Sequence, residues 1–193
     1  IISKIDRKLY ISVDNYSYRM ITKDNLFIVM EWFFKYPSRS FHIRELARLT
    51  GLSSAGIIKI IKRLKRERLL LSKKERVTED IYPDFDGNFT LRKRLYNIYS
   101  LYDCGLINEI KSFYEMPRAI ALFGSYSNGT DAERSDIDLA VFSSNDKIPD
   151  LSRFEKKLAR KINIHVIGSK KIDEGFKNAL YNGIVLEGVI EIK

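Results

Sequence analysis

A chain of 193 residues with 45% hydrophobic and 12% aromatic residues has enough apolar side chains for real cores, in one large domain or two small ones. No apolar stretch approaches the roughly 20 residues of a membrane-spanning helix, the opening residues lack the pattern of a signal peptide, and one cysteine, Cys104, excludes an internal disulfide. Cys104, His42 and His165 together are too few soft ligands for a structural zinc site, so the expectation is a cytoplasmic protein with no membrane partner. The net charge of +9 is uneven: residues 44 to 76 hold eleven basic and three acidic side chains, nearly the whole excess, whereas residues 118 to 142 hold two basic and four acidic ones. Two electrostatic characters in one chain point to two domains.

Residues 1 to 23, rich in Tyr and Ile, read as a strand or hairpin with no further role. From residue 24 to 36, Leu26, Phe27, Met30, Trp32, Phe33 and Phe34 follow an Asp suited to capping, and Pro37 stops the run, which predicts a buried helix. The stretch 41–43 is strand-like, and residues 44–50 put Leu46, Ala47 and Leu49 at helical spacing before a tight turn at Gly51. Ser53 or Ser54 then caps a helix whose apolar face is predicted to be Ile57, Ile58, Ile60, Ile61 and Leu64, with Lys59, Lys62, Arg63, Lys65 and Arg66 elsewhere. Residues 69–77 read as a strand, and the polar stretch containing Asp84, Asp86 and Gly87 as the turn of a wing.

Helix, glycine turn and basic helix followed by a strand resembles the winged helix-turn-helix regulators, in which the second helix of the motif enters the major groove and the wing lies along the backbone. The resemblance implies a double-stranded DNA partner, with Ser53, Ser54, Lys59, Lys62 and Arg63 facing the groove and Lys73, Lys74 and Arg76 contacting phosphates. Cations set along phosphates release condensed counterions, which gives affinity without sequence information. The plainer reading of such a helix is a solvated face.

Leu91, Leu95, Ile98 and Leu101 recur at helical spacing, Gly105 offers a stop, and Leu106, Ile107, Ile110 and Phe113 form a second short run before Pro117. These read as connector helices whose stripes pack on the chain's own core or on a second copy in a homodimer.

The run 119–123 is a buried strand by its continuous apolar character, ending on Gly124-Ser125, where a glycine permits close backbone approach and a hydroxyl can hold phosphate oxygens. Ten residues on, 135–142 alternates as a second strand, with Asp136 and Asp138 on one face and Ile137, Leu139 and Val141 on the other. Two carboxylates side by side repel, so their pairing beside a phosphate-binding turn suggests that they hold a divalent metal.

Leu122-Phe123-Gly124-Ser125-Tyr126-Ser127-Asn128-Gly129 followed by Ser135-Asp136-Ile137-Asp138-Leu139 resembles the signature of the DNA polymerase beta-type nucleotidyltransferase superfamily, in particular its minimal members. The resemblance implies that Gly124 and Ser125 contact the phosphates of an NTP. It also implies that Asp136 and Asp138 bind Mg²⁺ or Mn²⁺ and take part in catalysis. It leads one to expect a third carboxylate on a following strand, but after an amphipathic helix over 150–161 that strand reads Ile162-Asn163-Ile164-His165-Val166-Ile167. Asn163 cannot take a proton; His165 can act as a base, or be a partly buried structural histidine. A short helix over 173–181 and a closing strand pair over 183–192 complete the reading.

The expected fold class is α+β: a winged helix-turn-helix domain over 1–90, a helical connector over 91–117, and a minimal nucleotidyltransferase domain, a mixed sheet flanked by helices, over 118–193. From residue 25 onward the chain resembles archaeal-type fusions of these two modules. The function implied is transfer of a nucleoside monophosphate from an NTP to an acceptor hydroxyl. The alternative is a non-enzymatic, DNA-binding transcription regulator whose nucleotidyltransferase domain only binds nucleotide.

Overall fold

The computed structural model describes residues 24–75, 78–168 and 173–190. The hairpin expected before residue 24, the phosphate contact expected at Arg76 and the last residues of the closing strands lie outside them. The chain divides after Asp84 into two compact units, against the expected division at residue 90.

The first unit opens on α1 (Asn25–Lys35), whose N-terminus is capped by Asp24 Oδ1 accepting from the Leu26 amide at 2.9 Å. Val29, Met30, Phe33 and Phe34 are its buried face, and the Phe33 ring meets Phe41 edge-on at 5.1 Å. α2 (Ile43–Thr50) ends where Gly51 takes φ +73°, a left-handed conformation in which a Cβ is unfavourable. α3 (Ser54–Arg66) is capped by Ser53, whose hydroxyl accepts from Gly56 N at 3.1 Å. Of the five isoleucines and leucines expected to face inward, only Ile57, Ile61 and Leu64 are buried, while Ile58 is 43% exposed. Positions i, i+4 and i+7 share one stripe at 100° per residue, and position 58 is turned a full step away from it.

β1 (Leu70–Glu75) and β2 (Thr78–Pro83) pair antiparallel with Glu75 opposite Thr78. The hairpin therefore closes between Glu75 and Thr78, not at Asp84–Gly87 as expected. The strand over 78–83 escaped the sequence reading because its first half is polar and exposed, and only Ile81 and Pro83 are buried. Phe41 joins β2 by a two-bond bridge to Ile81, N to O at 2.9 and 3.0 Å. Asp84, read as a turn residue, is buried and lies 3.7 Å from Arg68 Nε.

The second unit begins with α4 (Phe89–Asp103) and α5 (Leu106–Phe113), the segments expected to be a connector. Its sheet has the order β5-β4-β3-β6, from β3 (Ala119–Phe123), β4 (Ile137–Phe142), β5 (Ile162–Ile167) and β6 (Ile184–Gly188). β3 runs antiparallel to both neighbours and β4 parallel to β5, the parallel pair being joined through α7 (Ser152–Leu158). Among the described residues one closing strand is found, β6, against the pair expected. Between β3 and β4 lies the single-turn helix α6 (Gly124–Asn128), and α8 (Glu174–Tyr181) precedes β6.

Alternation along the strands separates two cores. Ile120, Leu122, Ile137, Leu139 and Val141 pack with Leu101 of α4, Leu106, Ile107 and Ile110 of α5, and Phe154 and Leu158 of α7. Ala119, Ala121, Phe123, Ala140 and Phe142 pack on the other face with Leu180 of α8. Both faces of the sheet are covered, so every residue of β3 is buried.

Half of the expected apolar stripe of α4 faces inward, Leu101 being buried and Ile98 packed against the core. Leu91 and Leu95 are 58% and 53% exposed, whereas Lys93, Asn97 and Ser100 are buried with Phe89, Tyr96 and Leu101. The helix turns polar groups inward because a buried carboxylate, Asp131, waits for them.

Candidate functional site

Gly124 ends β3 with φ +74°. A Cβ built there would lie 2.9 Å from Asp138 Oδ2, so the backbone of the turn approaches the carboxylate more closely than any other residue allows. Asp138 faces this turn because β3 and β4 pair with Phe123 opposite Asp138, directly before the glycine. Ser125, the next residue, is half-buried. Ser127 is buried and donates its hydroxyl to the Gly124 carbonyl at 2.8 Å. α6 ends at Gly129, φ +74°, where a Cβ would meet Thr90 O at 2.5 Å and Arg94 N at 2.8 Å. The turn is thus bracketed by two positions that only glycine fits.

Asp136, exposed, directly precedes β4, and Asp138, half-buried, is its second residue. The parallel pairing with β5 sets Asn163 beside Asp138. The Asn163 amide donates to both carboxylates, 3.2 Å to Asp136 Oδ2 and 3.1 Å to Asp138 Oδ1. Two residues on, His165 Nε2 stands 3.9 Å from Asp138 Oδ1 with 44% of its side chain exposed. This separation is ion-pair range, too long for a hydrogen bond. Its ring packs against Phe123 at 5.3 Å and Phe176 of α8 at 5.4 Å, and those two rings meet each other at 5.2 Å. Gly124, Ser125, Asp136, Asp138, Asn163 and His165 therefore converge toward one end of the strands, where β3 finishes and β4 and β5 begin.

No group of three His, Cys, Asp or Glu side chains close enough to hold a metal ion occurs among the described residues. What the site offers is two adjacent carboxylates and an amide. That donor set fits a Mg²⁺-type ion bound through one or two carboxylates and completed by substrate phosphates and water, and does not fit an all-protein cage. Beside Asp136 opens a pocket of about 450 Å³ lined by Arg134, Ser135, Lys156, Arg160 and Lys161 with Glu133 and Glu155.

Behind α6 lies a buried ionic group for which the sequence offers no local pattern. Lys93 Nζ donates to Asp131 Oδ1, Asn97 Nδ2 donates to the same oxygen at 2.7 Å and to the Tyr126 carbonyl at 2.9 Å, and Arg160 Nη2 lies 3.7 Å from Asp131 Oδ2. Lys93 is fully buried, and Asp131 and Arg160 nearly so. Burial pulls the Lys93 ammonium below the usual lysine range against the opposing attraction of Asp131. The Tyr126 phenol, also buried, is pushed up and shares a 2.9 Å hydrogen bond with Ser100. Asn97 satisfies a carbonyl in the last turn of α6, so α4 braces the glycine–serine turn from behind.

The basic residues of the first unit are placed separately. Ser53, Ser54, Lys59, Lys62 and Arg63 are all exposed at the N-terminus or along the outer side of α3, although the Ser53 hydroxyl is engaged in the helix cap and Arg63 pairs with Glu67 at 2.7 Å. Lys73 and Lys74 are exposed on β1, opposite Asp80 and Glu79 of β2. Ile58, exposed beside these cations, is an apolar residue that the amphipathic reading had turned inward. No helix among the described residues is long and apolar enough to cross a membrane.

Among curated proteins none matches the chain. A solved structure described as the crystal structure of a toxin-antitoxin with AMP-PNP is 22% identical with a TM-score of 0.34, over 45% of this chain and 74% of that one. Residues 106–187, which carry the glycine–serine turn and both aspartates, match the family described as polymerase beta, nucleotidyltransferase.

Proposed function

We propose that the second unit binds an NTP with a divalent metal and transfers its nucleoside monophosphate to an acceptor hydroxyl. The observation that carries this reading is the approach of the Gly124 backbone to Asp138, where a Cβ would stand 2.9 Å from the carboxylate. It supports a reading in which the turn and the carboxylate pair contact one triphosphate. Nucleotidyltransferase domains generally use a divalent metal with an NTP, and Mg²⁺ or Mn²⁺ held by Asp136 and Asp138 would neutralise charge on the phosphates.

The residues divide the remaining work. The bare Gly124 backbone lets the phosphates approach, and the Ser125 hydroxyl donates to a phosphate oxygen. The acceptor oxygen attacks the α-phosphorus, the bond to the β-phosphate bridging oxygen breaks, and pyrophosphate leaves. His165 Nε2 takes the proton of the attacking hydroxyl, a role closed to the neutral amide of Asn163. Phe123 and Phe176 hold the imidazole in place.

For the first unit the reading is a winged helix-turn-helix that binds double-stranded DNA. α2, the Gly51 turn and α3 form the motif, α3 lies in the major groove with Ser53, Ser54, Lys59, Lys62 and Arg63 forward, and the β1–β2 hairpin is the wing, contacting phosphates through Lys73 and Lys74. Two-fold DNA sites would favour a homodimer. A second reading, a DNA-binding regulator whose second unit binds nucleotide without turnover, is favoured by Asn163 at the position where a proton-accepting carboxylate is expected.

Transfer separates the two. The protein is incubated with labelled NTPs, Mg²⁺ or Mn²⁺, and protein and nucleic-acid acceptors, beside Asp136→Ala. Label transfer that depends on Asp136 supports the enzyme. Intact nucleotide binding without such transfer leaves only the regulator.

A further inference from the structure

We propose that Asn163 makes metal binding conditional on nucleotide: the free site is held closed by its amide, and the divalent cation enters with the triphosphate and not before it. The inference rests on the nucleotide-and-metal reading given above and adds an order of binding to it.

The Asn163 amino group carries two hydrogens and stands 3.2 Å from Asp136 Oδ2 and 3.1 Å from Asp138 Oδ1. One donor group thus ties two like charges together, which is the service a cation would perform. Each of these oxygens gives one lone pair to the amide, so a cation seated between the same two oxygens takes the place of the amide and displaces it. Both bonds go to carboxylates, and a bare ion that seats itself between these oxygens displaces both.

Charge count acts in the same direction. With a carboxylate at position 163 the site would present three negative charges; it presents two, and ligand charge is a main determinant of divalent-ion affinity. His165, 3.9 Å from Asp138, adds no negative charge. A triphosphate restores what is missing, because its oxygens complete the coordination sphere and its negative charge exceeds that of the absent carboxylate. The exposed position of Asn163 on β5, which lies at the edge of the sheet among the described residues, leaves space for the amide to move aside when this happens.

The test is titration of the full chain with Mn²⁺, followed by calorimetry and by the electron paramagnetic resonance of free Mn²⁺, with and without a non-hydrolysable NTP analogue. Without nucleotide, Asn163→Asp should bind Mn²⁺ at least about tenfold more tightly than the natural protein, from the added ligand charge. Asn163→Ala, which removes the competing donor and adds no charge, should bind it about threefold more tightly by loss of two charge-assisted hydrogen bonds. With the analogue present, the natural protein should come within about threefold of Asn163→Asp. Asp136→Ala should lose Mn²⁺ under both conditions. Equal affinity of the natural protein, Asn163→Ala and Asn163→Asp for Mn²⁺ alone overturns the gate while leaving the site intact. Absence of nucleotide-dependent Mn²⁺ binding in all of them overturns the site reading itself, and the gate with it.

Discussion

Replacing Asp131 by Ala strands the Lys93 ammonium in the interior. The carboxylate accepts from Lys93 and Asn97 and lies 3.7 Å from the Arg160 guanidinium. Breaking a buried pair by removing one partner costs about 3–5 kcal/mol. A ceiling comes from the lysine itself. Shedding its proton at pH 7, from a reference of 10.5, costs about 1.4 kcal/mol per pH unit, or about 5 kcal/mol, so the loss cannot much exceed that. Lys93→Met removes the charge and keeps the volume, leaving Asp131 with Asn97 and Arg160, and should cost only about 1–2 kcal/mol.

The pH dependence follows with a definite sign. Without Asp131 the folded-state pKa of Lys93 falls further below the unfolded one, so the unfolded state binds more protons. Stability of Asp131→Ala therefore rises with pH, by up to about 1.4 kcal/mol per unit between the folded pKa and 10.5. Urea unfolding of the full chain measures this, provided the signal belongs to the right unit. The only tryptophan, Trp32, lies in the first unit, so its fluorescence follows that unit, while hydrogen exchange of the α4 amides follows the second. A loss below about 1 kcal/mol for Asp131→Ala, or a Lys93→Met variant equally damaged, would show that the buried group does not hold α4 on the sheet.

Two further outcomes are expected. Gly124→Ala forces a side chain into φ +74°, costing about 1–2 kcal/mol, and pushes against Asp138. Thermal unfolding should fall and Mn²⁺ binding in the presence of nucleotide should weaken together, and unchanged metal binding would count against the shared site. Replacing Lys59, Lys62 and Arg63 together by Ala should weaken DNA binding and lower the slope of log affinity against log salt by about 2–3, since each phosphate left without its cation removes about 0.9. An unchanged slope would remove α3 from the groove.

The parts of this protein that announce themselves in sequence are those whose signal is local. The capping Asp24, the Gly51 stop, the apolar run of β3 and the alternation through Asp136 and Asp138 each need only a few neighbouring residues to be read. The motif Gly124-Ser125 with Asp136 and Asp138 is legible for the same reason. Three features did not, and each depends on a distant partner. The strand over 78–83 is polar along its exposed half and is defined by pairing with 70–75 and by the bridge to Phe41. The inward face of α4 is polar because Asp131, far along the chain, compensates Lys93 and Asn97, so hydrophobic periodicity selected Leu91 and Leu95 instead. Phe176 reaches His165 only through the packing of α8 on the sheet.

The strand order gives the two central strands, β3 and β4, the glycine–serine turn and the carboxylate pair, and leaves Asn163 and His165 on a margin. A central strand is gripped on both sides, so what it carries is bound up with the integrity of the fold. A marginal strand is gripped on one side, and its outward residues can be exchanged with little disturbance to the rest. Substitution at 163 or 165 should therefore disturb the fold less than substitution at 124 or 138.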